Sequence, residues 1–441
     1  MKRLIILSLV LLSLSISGCK KYLEIEPVGK VIPTTVEDFR ALMTSAYIGF
    51  PKHKALLVLR TDELTLDEFG QDFPTVKDIY TWKDVNQDGL TAPFPYIQFY
   101  KSIFYANQVI KDVEATAGIS AETAQLKAEA YLLRAYANFE LLNLYAKPYN
   151  KATAGTDKGI PLVTIVDIEQ KFPQATVEVV YNQIFSDLAA GQALLNVDKW
   201  ENGKNYRFSK RAALALSARI YEFRGEWDKA LTASQAVLAL NSDLEDLNAG
   251  GSVLPNNYLS KENIMALEDV MDSRASNASY ISAHLLGIYN QTNDLRFAKY
   301  FSKSGSRYRS IKGNSNALKI TFRNGEIYLI AAESALQTGN KDLALQRLLA
   351  LKAKRLTPDY FQTESTRISV LSATDLMSEI IAERERELAL EGHRWYDLRR
   401  YGQPELTHVI DGTNYILQKN DPRYTVRFPT EAIANNPELM Q

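Results

Sequence analysis

The residues in this 441-residue chain that could do chemistry are, first, carboxylates at helical spacing. Glu383, Glu387 and Glu391 recur every four residues, which puts them on one stripe of a helix. Asp397 follows, and Arg384, Arg386, Arg394, Arg399 and Arg400 are interleaved, with Trp395 and Leu398 between. Acids so arranged could act as a proton donor and a nucleophile or base. The density of both signs beside large apolar groups points instead to a partly buried ion network. In it, Glu387, Glu391 and Asp397 neutralise Arg394, Arg399 and Arg400 and fix helix against helix. A second acidic run, Asp62-Glu63 with Asp67-Glu68, could bind a cation or a sugar hydroxyl and is the best seat for a glycosidase pair. Such runs more often solvate a loop or cap a helix. Asp84, Asn86 and Asp88 with Gly89 have the opening spacing of a calcium loop. Pro95 stands where the bidentate Glu belongs, so the run reads as a turn. Calcium is the one cofactor these residues raise, and no other is expected.

Aromatic residues in polar surroundings form the other candidate set. Tyr80 and Trp82 could make a platform beside the Asp84 turn. From Asn241 to Ser315, Gly, Pro, Asn and Ser break any long period, as expected of loops inserted on a helical frame. That stretch carries Tyr280, His284, Tyr289, Asn290, Asp294, Arg296, Tyr300 and Tyr308. Aromatic faces stack on the C–H faces of sugars, while Asn, Asp and Arg bind hydroxyls.

Several functions are disfavoured. The four histidines, at 53, 284, 393 and 408, have no metal-binding spacing, and neither a nucleophile elbow nor a P-loop is present. Lys and Arg total 51 against 52 Asp and Glu, so no bulk basic field exists to hold nucleic acid. Cys19 is the only cysteine, which rules out an intrachain disulfide.

The elements that must position these groups are helical. Thr35 caps a helix starting near Val36. Ile97, Tyr100, Ile103, Phe104 and Val109 share one helical face, Gly118-Ile119-Ser120 breaks it, and a second helix runs to Tyr145. Phe208–Tyr221, a turn at Gly225, then Ala230-Leu231 has the tetratricopeptide layout. A second copy lies at Tyr328–Ala335, Gly339 and Leu343–Leu345, far enough away that the repeats are interrupted. The fold class is therefore mainly α, with tetratricopeptide-like helix pairs and inserted irregular loops. At the N-terminus, Met1-Lys2-Arg3 and the apolar run Leu4–Leu12 form an export signal too short to span a bilayer.

The stretch from Glu383 to Arg400 resembles the C-terminal signature of the SusD/RagB family, E-R-x-x-E-L-x-x-E-G-x-R-W-x-D-L-x-R, and has every fixed residue of it. Leu126–Leu142 resembles the family's Ala- and aromatic-rich helix, with Tyr131 and Asn138 differing. Tyr424–Pro437 resembles its terminal segment, with Thr430 departing. Ser15–Gly18 before Cys19 resembles a bacterial lipobox. The resemblance implies a leader over 1–18, lipid on Cys19, and one SusD-like domain over 19–441. Within it lie an N-terminal part (19–95), a helical scaffold (about 96–240 and 318–402), a variable loop insertion (about 241–317) and a C-terminal segment (403–441). It implies an outer-membrane lipoprotein facing the exterior, not an enzyme. Such a protein would bind a glycan or other nutrient and partner a SusC-like TonB-dependent transporter. The ligand-binding residues expected on this basis are Asp62, Tyr80, Trp82, Tyr280, Tyr289, Asn290, Arg296, Tyr300 and Tyr308. Peptide capture, or assembly through the tetratricopeptide groove, is the alternative; glycoside hydrolysis ranks below both.

Overall fold

A computed structural model describes residues 33–167, 171–271, 273–313 and 315–439. The leader and Cys19 lie outside the described residues, so the structure gives no account of the anchor. Helices dominate. The first, α1 (Val36–Ile48), starts as its sequence requires: the Thr35 hydroxyl accepts the Asp38 N–H, and the Asp38 carboxylate accepts the Thr35 N–H. After the short α2 (Phe73–Tyr80) come α3 (Ile97–Ala117) and α4 (Ala121–Tyr145), broken at Gly118 and restarted by a Ser120 cap. Ala128, Ala130, Ala135 and Ala137 on α4 are fully buried, because only small side chains let α3 and α5 (Val177–Leu194) approach it closely.

The two tetratricopeptide-like copies appear as α6 (Lys210–Phe223) with α7 (Trp227–Leu240), and α8 (Asn324–Gln337) with α9 (Lys341–Lys352). Gly225 and Gly339 turn each pair with positive φ, +67° and +84°, a conformation glycine adopts without strain. Helix α8 packs on α7, so copies interrupted in sequence are neighbours in space. Helix α10 (Pro358–Ser369) leads to α11 (Ala373–Glu387) and, after a tight turn, to α12 (His393–Arg400). Among the described residues no helix is long and apolar enough to cross a membrane.

Strands are short and occur as antiparallel pairs. They are β1 (Leu64–Leu66) with β5 (Ser279–Ile281), and β2 (Lys158–Pro161) with β3 (Gln174–Thr176). Next are β4 (Asn263–Met265) with β8 (Phe322–Arg323), and β6 (Phe301–Ser304) with β7 (Arg307–Ser310). The last pair is β9 (Leu406–Ile410) with β10 (Thr413–Leu417). The stretch from 241 to 317 is irregular, as expected, but it is not a set of surface loops. Met265, Ala275, Leu285, Tyr300 and Phe301 from it enter the common core.

Candidate functional site

The signature stretch was the first candidate, and it is a sealed charge knot. The helix stops at Glu387, and Leu390 and Gly392 take positive φ, so Glu391 sits in the turn and not on the helical stripe. All three carboxylates are nevertheless buried, and Glu387 shares Arg296 with Glu383 and Arg323 with Glu391. Arg355 donates to both Glu387 oxygens, at 2.9 and 2.8 Å, and to Glu262 at 2.6 Å. Arg323 donates to Glu387 at 2.5 Å and to Glu391 at 2.9 Å. Arg296 donates to Glu383 at 2.6 Å and to Glu387 at 2.9 Å. Lys312 donates to Glu391 at 2.6 Å. Burial alone would push the Glu387 carboxyl up, but Arg355, Arg323 and Arg296 outweigh it and hold it well below the usual carboxylate range.

The expected network is present, but its expected partners are mostly wrong. Of Arg394, Arg399 and Arg400, only Arg400 meets an expected acid, Asp397, at 3.0 Å. Arg399 is buried and donates to the backbone carbonyls of Asn143 and Ala146. Arg394 grips Asp62 with two bonds of 2.8 and 2.7 Å.

That last pair begins a second cluster. Asp62, His284 and Glu385 bring one nitrogen and two carboxylate oxygens within 4.8 Å, the geometry a cation could use. His284 Nε2 lies 2.5 Å from Glu385 and 3.5 Å from Asp62. Arg394 already supplies the positive charge, reaching Glu385 at 3.2 Å as well as Asp62. Burial raises the Asp62 carboxyl, but Arg394 and His284 bring it below its ordinary value. Next to it Glu63 is sealed, and burial raises it to about 8. Its Oε1 accepts the Leu390 N–H at 2.7 Å and its Oε2 accepts the Thr61 hydroxyl at 3.2 Å. Asp67 accepts from Arg309 at 2.7 Å, and Glu68 accepts the Asp411 N–H at 2.7 Å. The run that could have held a cation or a catalytic pair is divided among separate structural tasks.

The Asp84 segment is likewise a turn. Both Asp84 oxygens face the Arg60 guanidinium at 2.7 and 3.1 Å, and Asp88 accepts the Leu90 N–H at 2.9 Å. Asn86 is exposed with φ +50°, as in a turn.

Five expected ligand contacts are interior. Tyr80 and Trp82 stack on His408, at centroid distances of 3.9 and 4.1 Å, and Trp82 Nε1 donates to the Arg60 carbonyl. Tyr289 and Tyr300 pack around Phe301, and Arg296 belongs to the knot. A ligand cannot reach them because other core groups fill the space around each ring. Asn290 is exposed but folds back to accept the Asn293 N–H at 3.0 Å. Tyr308 is half-buried against Phe297.

Tyr280 is the expected residue that reaches a different kind of surface. It lies on β5 opposite Thr65, half-exposed, beneath the β6–β7 hairpin. Arg309 lies over its ring at 4.0 Å and Arg307 at 4.7 Å. Sequence reading passed over the neighbour that stands out most, Phe69, whose ring is 98% exposed. Its loop is held on every side: by Asp67 to Arg309, by the Asp67 N–H to the Ala278 carbonyl at 2.7 Å, and by Glu68 to Asp411. A Cβ on Gly70 would lie 2.8 Å from the Asn277 carbonyl oxygen, so the loop backbone is pressed against that segment. The only sequence signal was an aromatic residue between an acidic pair and a glycine.

A helical-pair frame closed by a buried charge knot, with an aromatic and cationic face elsewhere, is a tetratricopeptide-like scaffold. A family model described as starch-binding, associating with the outer membrane, matches residues 21–221, and the SusD family model matches residues 261–439. The chain belongs to the SusD/RagB family. It is 23% identical to the SusD-like protein P38 of Formosa agariphila, covering 90% of this chain and 91% of that one. A SusD superfamily crystal structure from Bacteroides fragilis superposes with a TM-score of 0.78 at 21% identity, covering 93% of this chain and 100% of that one. A laminarin-binding SusD-like protein superposes with a TM-score of 0.61 at 17% identity, covering 84% and 92%.

Proposed function

We propose that this protein is a lipid-anchored outer-membrane lipoprotein that binds a glycan or oligosaccharide without cleaving it. In this reading it delivers the bound sugar to a SusC-like TonB-dependent transporter. Family membership supports it, as do the outer-membrane association in the description of the matching family model and the laminarin-binding relative. The observation that carries it furthest is Phe69: a fully exposed ring on a loop pinned by three neighbours has no structural task in the chain itself. Monomeric proteins hold single apolar groups at the surface routinely, but seldom brace the loop beneath them so thoroughly. A sugar ring laid on Phe69 would bury C–H surface without requiring the protein to reorganise. Cys19 would carry the lipid that holds the protein at the outer membrane, and in this reading the protein faces the cell exterior.

Titration calorimetry against a panel of polysaccharides tests the reading. Binding without release of reducing ends supports it. Hydrolysis products would restore the enzyme, and binding of peptides in place of any glycan would overturn it. The anchor is tested separately: Cys19→Ala should move the protein from the membrane to the soluble fraction.

A further inference from the structure

The β6–β7 hairpin does something unexpected with the ring most suited to sugar stacking. The register pairs Ser304 with Arg307 and Ser302 with Arg309, so alternate residues place Arg307 and Arg309 on one face of the hairpin. That face covers Tyr280, and both guanidinium groups lie over its ring, at 4.7 and 4.0 Å. Tyr280 is thus a rack for cations and not a free platform. The two arginines differ in their partners. Arg309 is committed: it bonds Asp67 at 2.7 Å and the carbonyls of Ser276 and Ser279, each at 2.9 Å. Arg307 is exposed and, among the described residues, forms no ion pair. Lys303 pairs with Tyr308 and so stands on the opposite face of the hairpin. The nearby acids on the Phe69 loop have other tasks: Asp67 holds Arg309, Glu68 accepts the Asp411 N–H, and Asp72 accepts the Asn277 amide.

A guanidinium pre-oriented by stacking loses little freedom when it binds, and its planar fork matches a carboxylate or sulfate with two parallel hydrogen bonds. A neutral sugar's hydroxyls would also accept from this fork, but without the charge complementarity of a carboxylate or sulfate. Arg309 also joins the two halves of this face, because it bonds Asp67, two residues before Phe69, while sharing the Tyr280 ring with Arg307.

We infer that the glycan taken by this face is anionic, its ring resting on Phe69 and its carboxylate or sulfate group held by Arg307. This inference rests on the glycan-binding reading above and adds the charge class of the ligand. Calorimetry of the full soluble chain should be run against polygalacturonate, dextran sulfate, laminarin and polyglutamate at two salt concentrations. The expected result is binding of at least one acidic polysaccharide, at least about tenfold tighter than of laminarin and weakening as salt rises. Whether polygalacturonate or dextran sulfate binds tells uronate from sulfate ester. Arg307→Ala should lower affinity for the acidic polysaccharide about tenfold, and Arg307→Lys, which keeps the charge but not the fork, should fall between. Unchanged circular dichroism and melting for both variants would assign the loss to the ligand contact. Phe69→Ala should weaken binding at every salt concentration. Tighter binding of laminarin than of either acidic polysaccharide, untouched by Arg307→Ala, overturns the charge class and leaves glycan binding standing. Equal binding of polyglutamate overturns it in favour of a generic polyanion surface. Failure to bind any polysaccharide overturns the glycan reading together with this one.

Discussion

The charge knot and the hairpin face are built from the same residue types and use them in opposite ways. In the knot, Arg296, Arg323 and Arg355 are buried, and each donates to at least two carboxylates, Arg323 and Arg355 to a backbone carbonyl as well. On the hairpin face, Arg307 is exposed and stacked, with its hydrogen-bonding edge uncommitted among the described residues. Removing water makes each charge in the knot dependent on its partners, since an unpaired charge there costs several kcal/mol. Keeping water makes Arg307 nearly irrelevant to folding and free to meet a ligand. The comparison separates what holds the scaffold from what faces outward: a long, recognisable charged motif serves the first, and a few residues in a poorly patterned segment serve the second.

The sharpest way to break this comparison is to remove an acid from the knot. Glu387→Ala leaves Arg296, Arg323 and Arg355 without their shared partner and should cost about 3–5 kcal/mol, read by urea denaturation. A stable variant that had lost glycan binding would instead place the knot in the ligand site. Trp82→Ala should cost a similar about 3–5 kcal/mol, because it opens a cavity beside His408 and Tyr80. Were Trp82 a sugar platform, the same change would spare stability and abolish binding.

Gly392→Ala should be milder but measurable. Its backbone has φ +78° and a new Cβ would lie 2.6 Å from the Lys54 Cβ, so a loss of about 2 kcal/mol is expected from strain and displacement. The Glu63 prediction concerns pH. Burial, aided by Asp62 and Glu385, raises its carboxyl to about 8, so the folded protein keeps it neutral where the unfolded chain ionises it. Its contribution is therefore fully present below the ordinary value of 4.5 and is lost as pH rises through about 8. Glu63→Gln should melt with the parent near about pH 4 and above it near about pH 9; identical profiles would remove the buried acid from the account. At the small end, Phe69→Ala should change stability by no more than about 0.5 kcal/mol while weakening glycan binding.

Much of the scaffold was legible because it rests on local rules. The Thr35 cap, the break at Gly118–Ser120 and the glycine turns at 225 and 339 depend on residues a few positions apart, and each stands where its chemistry requires. The candidate site was far less legible. Glu387 was recognised as structural, but its partners lie 32, 64 and 91 residues away, and no spacing rule links such residues. Tyr80, Trp82, Tyr289 and Tyr300 carry the chemistry of sugar platforms, yet whether a ring faces water depends on what the rest of the chain lays over it. The same limit hid Phe69, which looks in sequence like any loop aromatic.

The bond from the Leu390 N–H to Glu63 joins positions 327 apart, and the Arg394–Asp62 pair and the His408–Thr61 contact span 332 and 347. These closures tie the early segment to the last part of the chain. Thr61, Asp62 and Glu63 therefore stay without these partners until nearly the whole polypeptide has been made. Such a high contact order implies slow, late consolidation, and a chain cut short before position 390 should be quickly degraded rather than stored as a partial fold.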